Sequence, residues 1–88
     1  MSMKEDFEHL MEKLKYERDE VKLKMHLASM EAKDEFEKAE KKWTHIKSEA
    51  ADIADDTKET SDELIAKAKI VGEELKDAYR RIAKRLSD

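Results

Sequence analysis

Residues 55–62, Asp-Asp-Thr-Lys-Glu-Thr-Ser-Asp, are eight consecutive positions without an apolar side chain, and they decide how the rest of the chain folds. Thr60 and Glu63 have the spacing of a capping box, which begins a helix by satisfying its free amide groups. Asp62 and Glu63 would then lie in the first turn, where the helix dipole favours negative charge. The segment predicts a turn at about residues 57–61, between a helix over about residues 4–56 and another over about residues 62–87.

Apolar side chains recur every three or four positions on both sides of this turn, which keeps one face of a helix apolar. The first stripe comprises Phe7, Leu10, Met11, Leu14, Val21, Met25, Ala28, Ala32, Phe36, Ala39, Trp43, Ile46, Ala50 and Ile53, and the second comprises Leu64, Ala68, Val71, Leu75, Ala78, Tyr79, Ile82 and Leu86. Many of these residues are eleven apart, a spacing that predicts nearly straight helices or a weak right-handed supercoil. That spacing also continues through residues 55–62, where no Gly or Pro forces a turn, so one long helix is the alternative.

A second break is predicted near residues 28–30, with less support. Apolar and charged side chains alternate over residues 21–27, which is a strand period, but a lone strand would have no partner. As a helix, this segment has apolar residues on two faces, as expected beside a turn or between two partners. Breaks at both places would divide the chain into three helices of similar length. Such a division predicts a three-helix bundle.

The sequence therefore predicts an all-α single domain over residues 1–88, built as a helical hairpin or coiled coil that self-associates. A monomeric three-helix bundle is the alternative. Eighty-eight residues without cysteine make a small core with no disulfide, so helix pairing must supply the stability. A hairpin leaves each stripe half covered, which favours a homodimer. The predicted packing interface comprises Leu10, Leu14, Val21, Met25, Phe36, Trp43, Ile46, Ile53, Leu64, Val71, Leu75, Ile82 and Leu86.

Two residues have specific structural expectations. Trp43 is the largest apolar side chain, and we expect it to be largely buried as an anchor of the core or interface. Gly72 is the one glycine of the chain and lies within the predicted second helix, where it costs up to about 1 kcal/mol relative to alanine. Either the close approach of another helix or simple tolerance accounts for it.

Charge and hydropathy argue against several classes of partner. The net charge of −4 gives no general footprint for nucleic acid. Residues 49–63 contain seven acids and one base, whereas residues 64–88 contain seven bases and four acids. That basic second stripe allows a membrane-surface contact, but interspersed acids favour packing against protein. No segment is apolar enough to span a membrane, and residues 1–10 lack a signal-peptide core, so we expect a cytoplasmic protein.

No arrangement of reactive side chains predicts catalysis, a cofactor or a metal. His9, His26 and His45 lie far apart, and none belongs to a Glu-x-x-His motif of the di-iron bundles. Asp52 and the acidic residues 55–59 resemble a magnesium cluster, but a small bundle cannot enclose the cavity that such sites need. There is also no glycine-rich phosphate loop and no recognisable nucleophile. We expect a protein that is not an enzyme.

Residues 32–43 (Ala-Lys-Asp-Glu-Phe-Glu-Lys-Ala-Glu-Lys-Lys-Trp) and 73–79 (Glu-Glu-Leu-Lys-Asp-Ala-Tyr), with acidic residues 52–63 between them, resemble small bacterial coiled-coil proteins of uncharacterised function. Such proteins run as a long charged helix, an acidic turn and a shorter helix that ends in basic residues. The resemblance covers most of the chain and implies a helical hairpin without an assigned activity. The eleven-residue spacing is also similar to that of desiccation-protective and apolipoprotein-like helices.

Two functions follow from these patterns. The first is a helical interaction or scaffold module that acts through helix–helix packing, with itself or another helical protein as its partner. The second is an amphipathic-helix protein associated with membranes or stress. They differ in what covers the apolar stripe, which is a packed helix in the first case and a lipid or labile protein surface in the second.

Overall fold

The chain folds as three α-helices packed into a compact bundle in the computed structural model, which describes residues 2–55 and 57–87. Helix α1 spans Met3–Lys24, α2 spans Met30–Ala54 and α3 spans Asp62–Ser87, with a short 3-10 turn at Met25–Leu27. The bundle measures 43 × 22 × 18 Å. The predicted all-α fold class is confirmed.

The helices alternate in direction, and two layers of contact across the bundle establish this. Leu10, Ile46 and Gly72 meet in one layer, and Arg18, Glu40 and Tyr79 meet in the next. Residue numbers rise between these layers in α1 and α3 but fall in α2, so α1 and α3 are parallel and α2 is antiparallel to both. The α1–α2 connection and the end of α3 therefore share one end of the bundle, called here the upper end. The α2–α3 connection lies at the lower end.

The long first helix predicted over residues 4–56 is wrong, because the chain turns at Met25–Ser29, beside the weaker break predicted at 28–30. Ser29 has extended backbone angles (φ −69°, ψ 169°), and its Oγ accepts a hydrogen bond from the Ala32 amide at 3.2 Å. That bond satisfies one of the free amides at the start of α2. The preferred two-helix hairpin is thus replaced by its alternative, the three-helix bundle.

The α2–α3 connection includes residues 57–61, where the turn was predicted, but its capping residue differs from the prediction. Helix α2 ends at Ala54, and Asp55 Oδ1 then accepts hydrogen bonds from the Thr57 amide at 2.9 Å and hydroxyl at 2.6 Å. These two bonds hold the pKa of Asp55 below its ordinary value. Ser61, one residue after the predicted Thr60, caps α3 by accepting from the Leu64 amide at 3.2 Å. Asp56, where the first predicted helix ended, lies outside the described residues.

The buried positions in each helix recur in steps of three, four or seven residues. They are Phe7, Leu10, Leu14 and Val21 in α1, Ala32, Phe36, Ala39, Trp43, Ile46 and Ile53 in α2, and Ile65, Ala68, Gly72, Leu75, Tyr79 and Ile82 in α3. This is the spacing of helices that pack side by side at small angles. Several residues eleven apart, such as Val21 and Ala32, lie in different helices, so they do not share one helical face.

Gly72 lies where α3 approaches both other helices closely. A Cβ atom built on Gly72 would be 2.8 Å from Leu10 Cδ2 and 3.2 Å from Ile46 Cδ1. The sequence left two explanations for Gly72 open. The structure supports the close approach of the neighbouring helices. The missing side chain allows the apolar face of α3 to fit between α1 and α2.

We predict that Gly72→Leu destabilises the bundle by about 1–3 kcal/mol, because an overpacked core must displace Leu10 or shift a helix. Leu10→Ala removes the nearest obstacle, so the two substitutions together should cost less than the sum of their separate effects. Urea denaturation of the four proteins measures this coupling. A Gly72→Leu variant as stable as the parent protein would show that the approach of the helices is not limiting.

We also predict that Ser29→Ala lowers the free energy of unfolding by about 1 kcal/mol, since the cap of α2 loses its acceptor. Ser48→Ala is the matched control, because Ser48 is exposed within α2 and caps no helix end. Thermal melts of both variants make the comparison. Equal melting temperatures for the two variants would contradict the capping role of Ser29.

Candidate functional site

A carboxylate from α2 joins the upper half of all three helices. The Arg18 guanidinium of α1 donates from Nε to Glu40 Oε1 at 2.7 Å and from Nη2 to Glu40 Oε2 at 2.8 Å. The Tyr79 hydroxyl of α3 donates to the same Oε1 at 3.1 Å. A fork of two hydrogen bonds to a carboxylate is strong and directional. We call Arg18, Glu40 and Tyr79 the polar clasp, because together they fix the register of the three helices.

The environment of the polar clasp keeps Arg18 charged and Tyr79 protonated, as their hydrogen bonds require. Burial first, and then the negative charge of Glu40, raise the pKa of Tyr79, so the phenol stays protonated and donates. The hydrogen bond to Glu40 raises the pKa of Arg18 in turn. The Tyr79 side chain is fully buried and packs with Phe36, with ring centroids 6.1 Å apart.

Two ion pairs reinforce the same half of the bundle. Arg80 Nε of α3 lies 2.8 Å from Glu17 Oε1 of α1, and Arg85 Nη1 lies 2.9 Å from Glu35 Oε1 of α2. Hydrogen bonding to Glu17 raises the pKa of Arg80, so this side chain stays charged. The polar contacts between helices are thus concentrated above the middle of the bundle.

Trp43 forms the boundary between this polar half and the half below it. Its side chain is 7% exposed, which confirms the prediction that it is largely buried. The Arg18 guanidinium carbon lies 5.4 Å from the centre of the indole ring, within the range of a cation–π interaction. Arg18 therefore lies over the indole ring of Trp43, and both side chains border an open surface between α1 and α2.

That open surface is a groove running along the lower half of α1 and α2. Two adjoining pockets, of about 350 and 430 Å³, share Met11, Glu12 and Lys47 as lining residues. Trp43 lies at the upper end of the groove, and Ile53 lies at the lower end. We call this surface the α1–α2 groove. It exists because α3 packs against both helices, whereas α1 and α2 make few contacts with each other.

The upper part of the α1–α2 groove is lined mainly by charged side chains, and its lower part mainly by apolar ones. The lower part is bordered on α2 by the small side chains of Ala50, Ala51 and Ala54, which leave room for another helix backbone. Glu12 lies on the α1 border and Lys47 on the α2 border. An open apolar channel with charged edges has the form of a site for an amphipathic helix.

The structure brings most of the predicted interface together as the core of one chain. Nine of these residues are buried: Leu10, Leu14, Val21, Phe36, Trp43, Ile46, Ile53, Leu75 and Ile82. Met25, Val71 and Leu86 are half-buried and pack against this core. Leu64 stands apart, since its side chain is 50% exposed.

Several buried residues are absent from the predicted interface, and the polar clasp was not anticipated as a unit. Ile65 replaces Leu64 in the core, because the seam of α3 follows Ile65, Ala68 and Leu75 in steps of three and seven. Phe7 and Tyr79 are also buried. A heptad count within α3 would have identified Ile65 and Tyr79. No comparable signal exists for Arg18, which is 22 residues from its partner Glu40.

The side chains considered for metal binding lie on the surface of the bundle. His9, His26 and His45 are exposed, and His45 Nε2 lies 3.0 Å from Glu49 Oε1. Asp52 lies 2.8 Å from the Lys58 ammonium. Within residues 2–55 and 57–87, no three His, Asp or Glu side chains are placed to hold a metal ion. No helix in the described part of the chain is long and apolar enough to cross a membrane.

Comparison with known proteins returns no matching family model, no matching curated protein and no matching solved structure. The function of the chain must therefore be inferred from the surfaces of the bundle itself.

We predict that alkaline pH weakens the bundle partly through Tyr79. Because the folded-state pKa of Tyr79 is raised, its contribution is complete below the ordinary tyrosine pKa of about 10 and is lost as the pH rises beyond it. Tyr79→Phe should cost about 1 kcal/mol at neutral pH by removing the hydrogen bond to Glu40, and should reduce the alkaline decline in stability.

Denaturant unfolding across this alkaline range tests the role of Tyr79. Tyr16→Phe is the matched control, because Tyr16 is 67% exposed on α1. If Tyr79→Phe and the parent protein lose stability in parallel above pH 10, the buried phenol is not responsible for the decline.

Proposed function

We propose that this chain is a non-enzymatic interaction module, a scaffold or adaptor whose activity is helix–helix contact at the α1–α2 groove. The observation that carries the proposal is the open groove below Trp43, whose lower part is lined mainly by apolar and small side chains. Buried aromatic side chains at the edge of an open site are typical anchors of protein interfaces. The partner class is an amphipathic helix, supplied by this chain itself or by another helical protein.

We further propose that a second copy of the chain is a partner, giving a homodimer. A two-fold axis along the groove would place α1 of one copy over α2 of the other, with the two helices antiparallel. Glu12 lies opposite Lys47 across the groove, so this rotation brings Glu12 of each copy to Lys47 of the other. Such a contact is self-complementary in charge, as a closed two-fold interface requires. The alanines on α2 allow the two backbones to approach closely.

The alternative, an amphipathic helix that folds on a membrane or labile protein surface, has weaker support. Its apolar stripes are the same residues that pack together as the core of the bundle. Covering them with lipid would require the three helices to separate. High helicity in plain buffer and cooperative unfolding are expected for the interaction module, because packed side chains supply its stability.

Sedimentation equilibrium over a range of micromolar concentrations tests self-association. We predict a mass approaching twice the 10.3 kDa of one chain, and a shift towards the monomer for Ala51→Arg. Ala51 is exposed at the groove border, so the substitution blocks a helix without disturbing the core. Ile70→Arg is the matched control, because Ile70 is exposed on α3 away from the groove.

The orientation of the dimer has its own test. Lys47→Glu should weaken the dimer by placing like charges opposite each other, and adding Glu12→Lys should restore it by exchanging the two signs. A mass of 10.3 kDa at every concentration would reject self-association. A helical signal that more than doubles on adding anionic vesicles would favour the surface-folding alternative.

A further inference from the structure

The corner between α1 and α2 carries three large apolar side chains that the core does not use. Leu23, Leu27 and Met30 are 74%, 64% and 75% exposed. They lie on the last turn of α1, on the 3-10 turn and at the first position of α2, at the upper end of the bundle. We call these three residues the apolar apex. Val21 and Met25, their neighbours in sequence, pack inward instead.

The apolar apex differs from the α1–α2 groove in shape and therefore in what it fits. It is a convex tip on a tight connection, whereas the groove is a concave channel. A convex apolar tip offers no channel for a helix. It can, however, insert into a fluid apolar phase, because such a phase does not require a complementary shape. Leucine and methionine side chains buried in this way recover the free energy that their exposure to water costs.

Two exposed lysines flank the apolar apex. Lys22 and Lys24 occupy the last turn of α1. At the same end of the bundle, Arg85 of α3 is paired with Glu35, and Glu31 on the first turn of α2 is a further acid. An apolar tip flanked by lysines suits a surface that is apolar inside and anionic outside.

A cluster of acidic residues lies at the opposite end of the molecule. Asp52, Asp55, Glu59 and Asp62 lie on or beside the α2–α3 connection. The bundle is 43 Å long, several times the Debye length of about 8 Å at physiological salt. The repulsion of these carboxylates by an anionic surface is therefore screened when the apolar apex faces that surface. The charge distribution also orients the bundle with its upper end towards negative charge.

We propose that the apolar apex docks the folded bundle onto an anionic lipid bilayer. Leu23, Leu27 and Met30 enter the boundary between headgroups and acyl chains, while Lys22 and Lys24 contact lipid phosphates. The three helices stay packed and the α1–α2 groove stays accessible, so the module presents its groove at a membrane surface. This docking uses different residues from the groove, and either surface can function without the other.

Co-sedimentation of the full chain with phosphatidylcholine vesicles, with and without phosphatidylserine, tests the docking. We expect binding to the anionic vesicles and little to the neutral ones. Leu23→Ser, Leu27→Ser and Met30→Ser combined should abolish most of this binding. Lys22→Ala and Lys24→Ala should each weaken it about fivefold, which corresponds to the usual contribution of one basic residue near an anionic surface.

The matched control replaces three exposed apolar residues elsewhere, with Tyr16→Ser, Leu64→Ser and Ile70→Ser combined. It should bind vesicles like the parent protein, and circular dichroism should report the same helicity for all variants with and without vesicles. Absence of binding to phosphatidylserine vesicles would overturn the proposal, as would equal loss in the control. Loss of self-association in the apex variant would also overturn it, because the apolar apex would then contact another copy of the chain. The groove variant Ala51→Arg should bind vesicles normally, so the two proposals fail separately.

Discussion

The bundle depends on the burial of one face of α3 between α1 and α2. Leu75, Tyr79 and Ile82 on that face are fully or almost fully buried. The face fits because Gly72 offers no side chain at the layer where Leu10 and Ile46 come closest. In a chain of 88 residues without a disulfide, this burial is the main source of stability available. Since α1 and α2 are held mainly through α3, the spacing between them is set by what α3 presents.

The upper and lower halves of the bundle differ in the interactions between their helices. In the upper half, the carboxylate of Glu40 draws Arg18 and Tyr79 together, and its hydrogen bonds compensate the cost of placing a charge at a partly buried site. In the lower half, apolar and small side chains form most of the lining of the groove between α1 and α2. The polar clasp therefore specifies the register of the helices.

This division gives the chain two surfaces with distinct chemistry. The α1–α2 groove is concave, apolar in its lower part and bordered by both signs of charge, which suits another helix. The apolar apex is convex and flanked by lysines, which suits a soft anionic surface. The acidic α2–α3 connection lies far from the apex. A small bundle with these features could hold one partner along its side while its end rests on another surface.

The sequence by itself determined the all-α class, the turn at residues 57–61 and the burial of Trp43, because composition and local spacing suffice for these features. Only the tertiary structure decided that the break at Ser29 interrupts the predicted first helix, since the local sequence signal there is weak and one serine hydroxyl supplies the cap. It also decided that Ile65 and not Leu64 enters the core. Local sequence patterns could not predict the polar clasp either. Glu40 and Tyr79 are 39 residues apart, and only the packing of three helices brings them within a hydrogen bond.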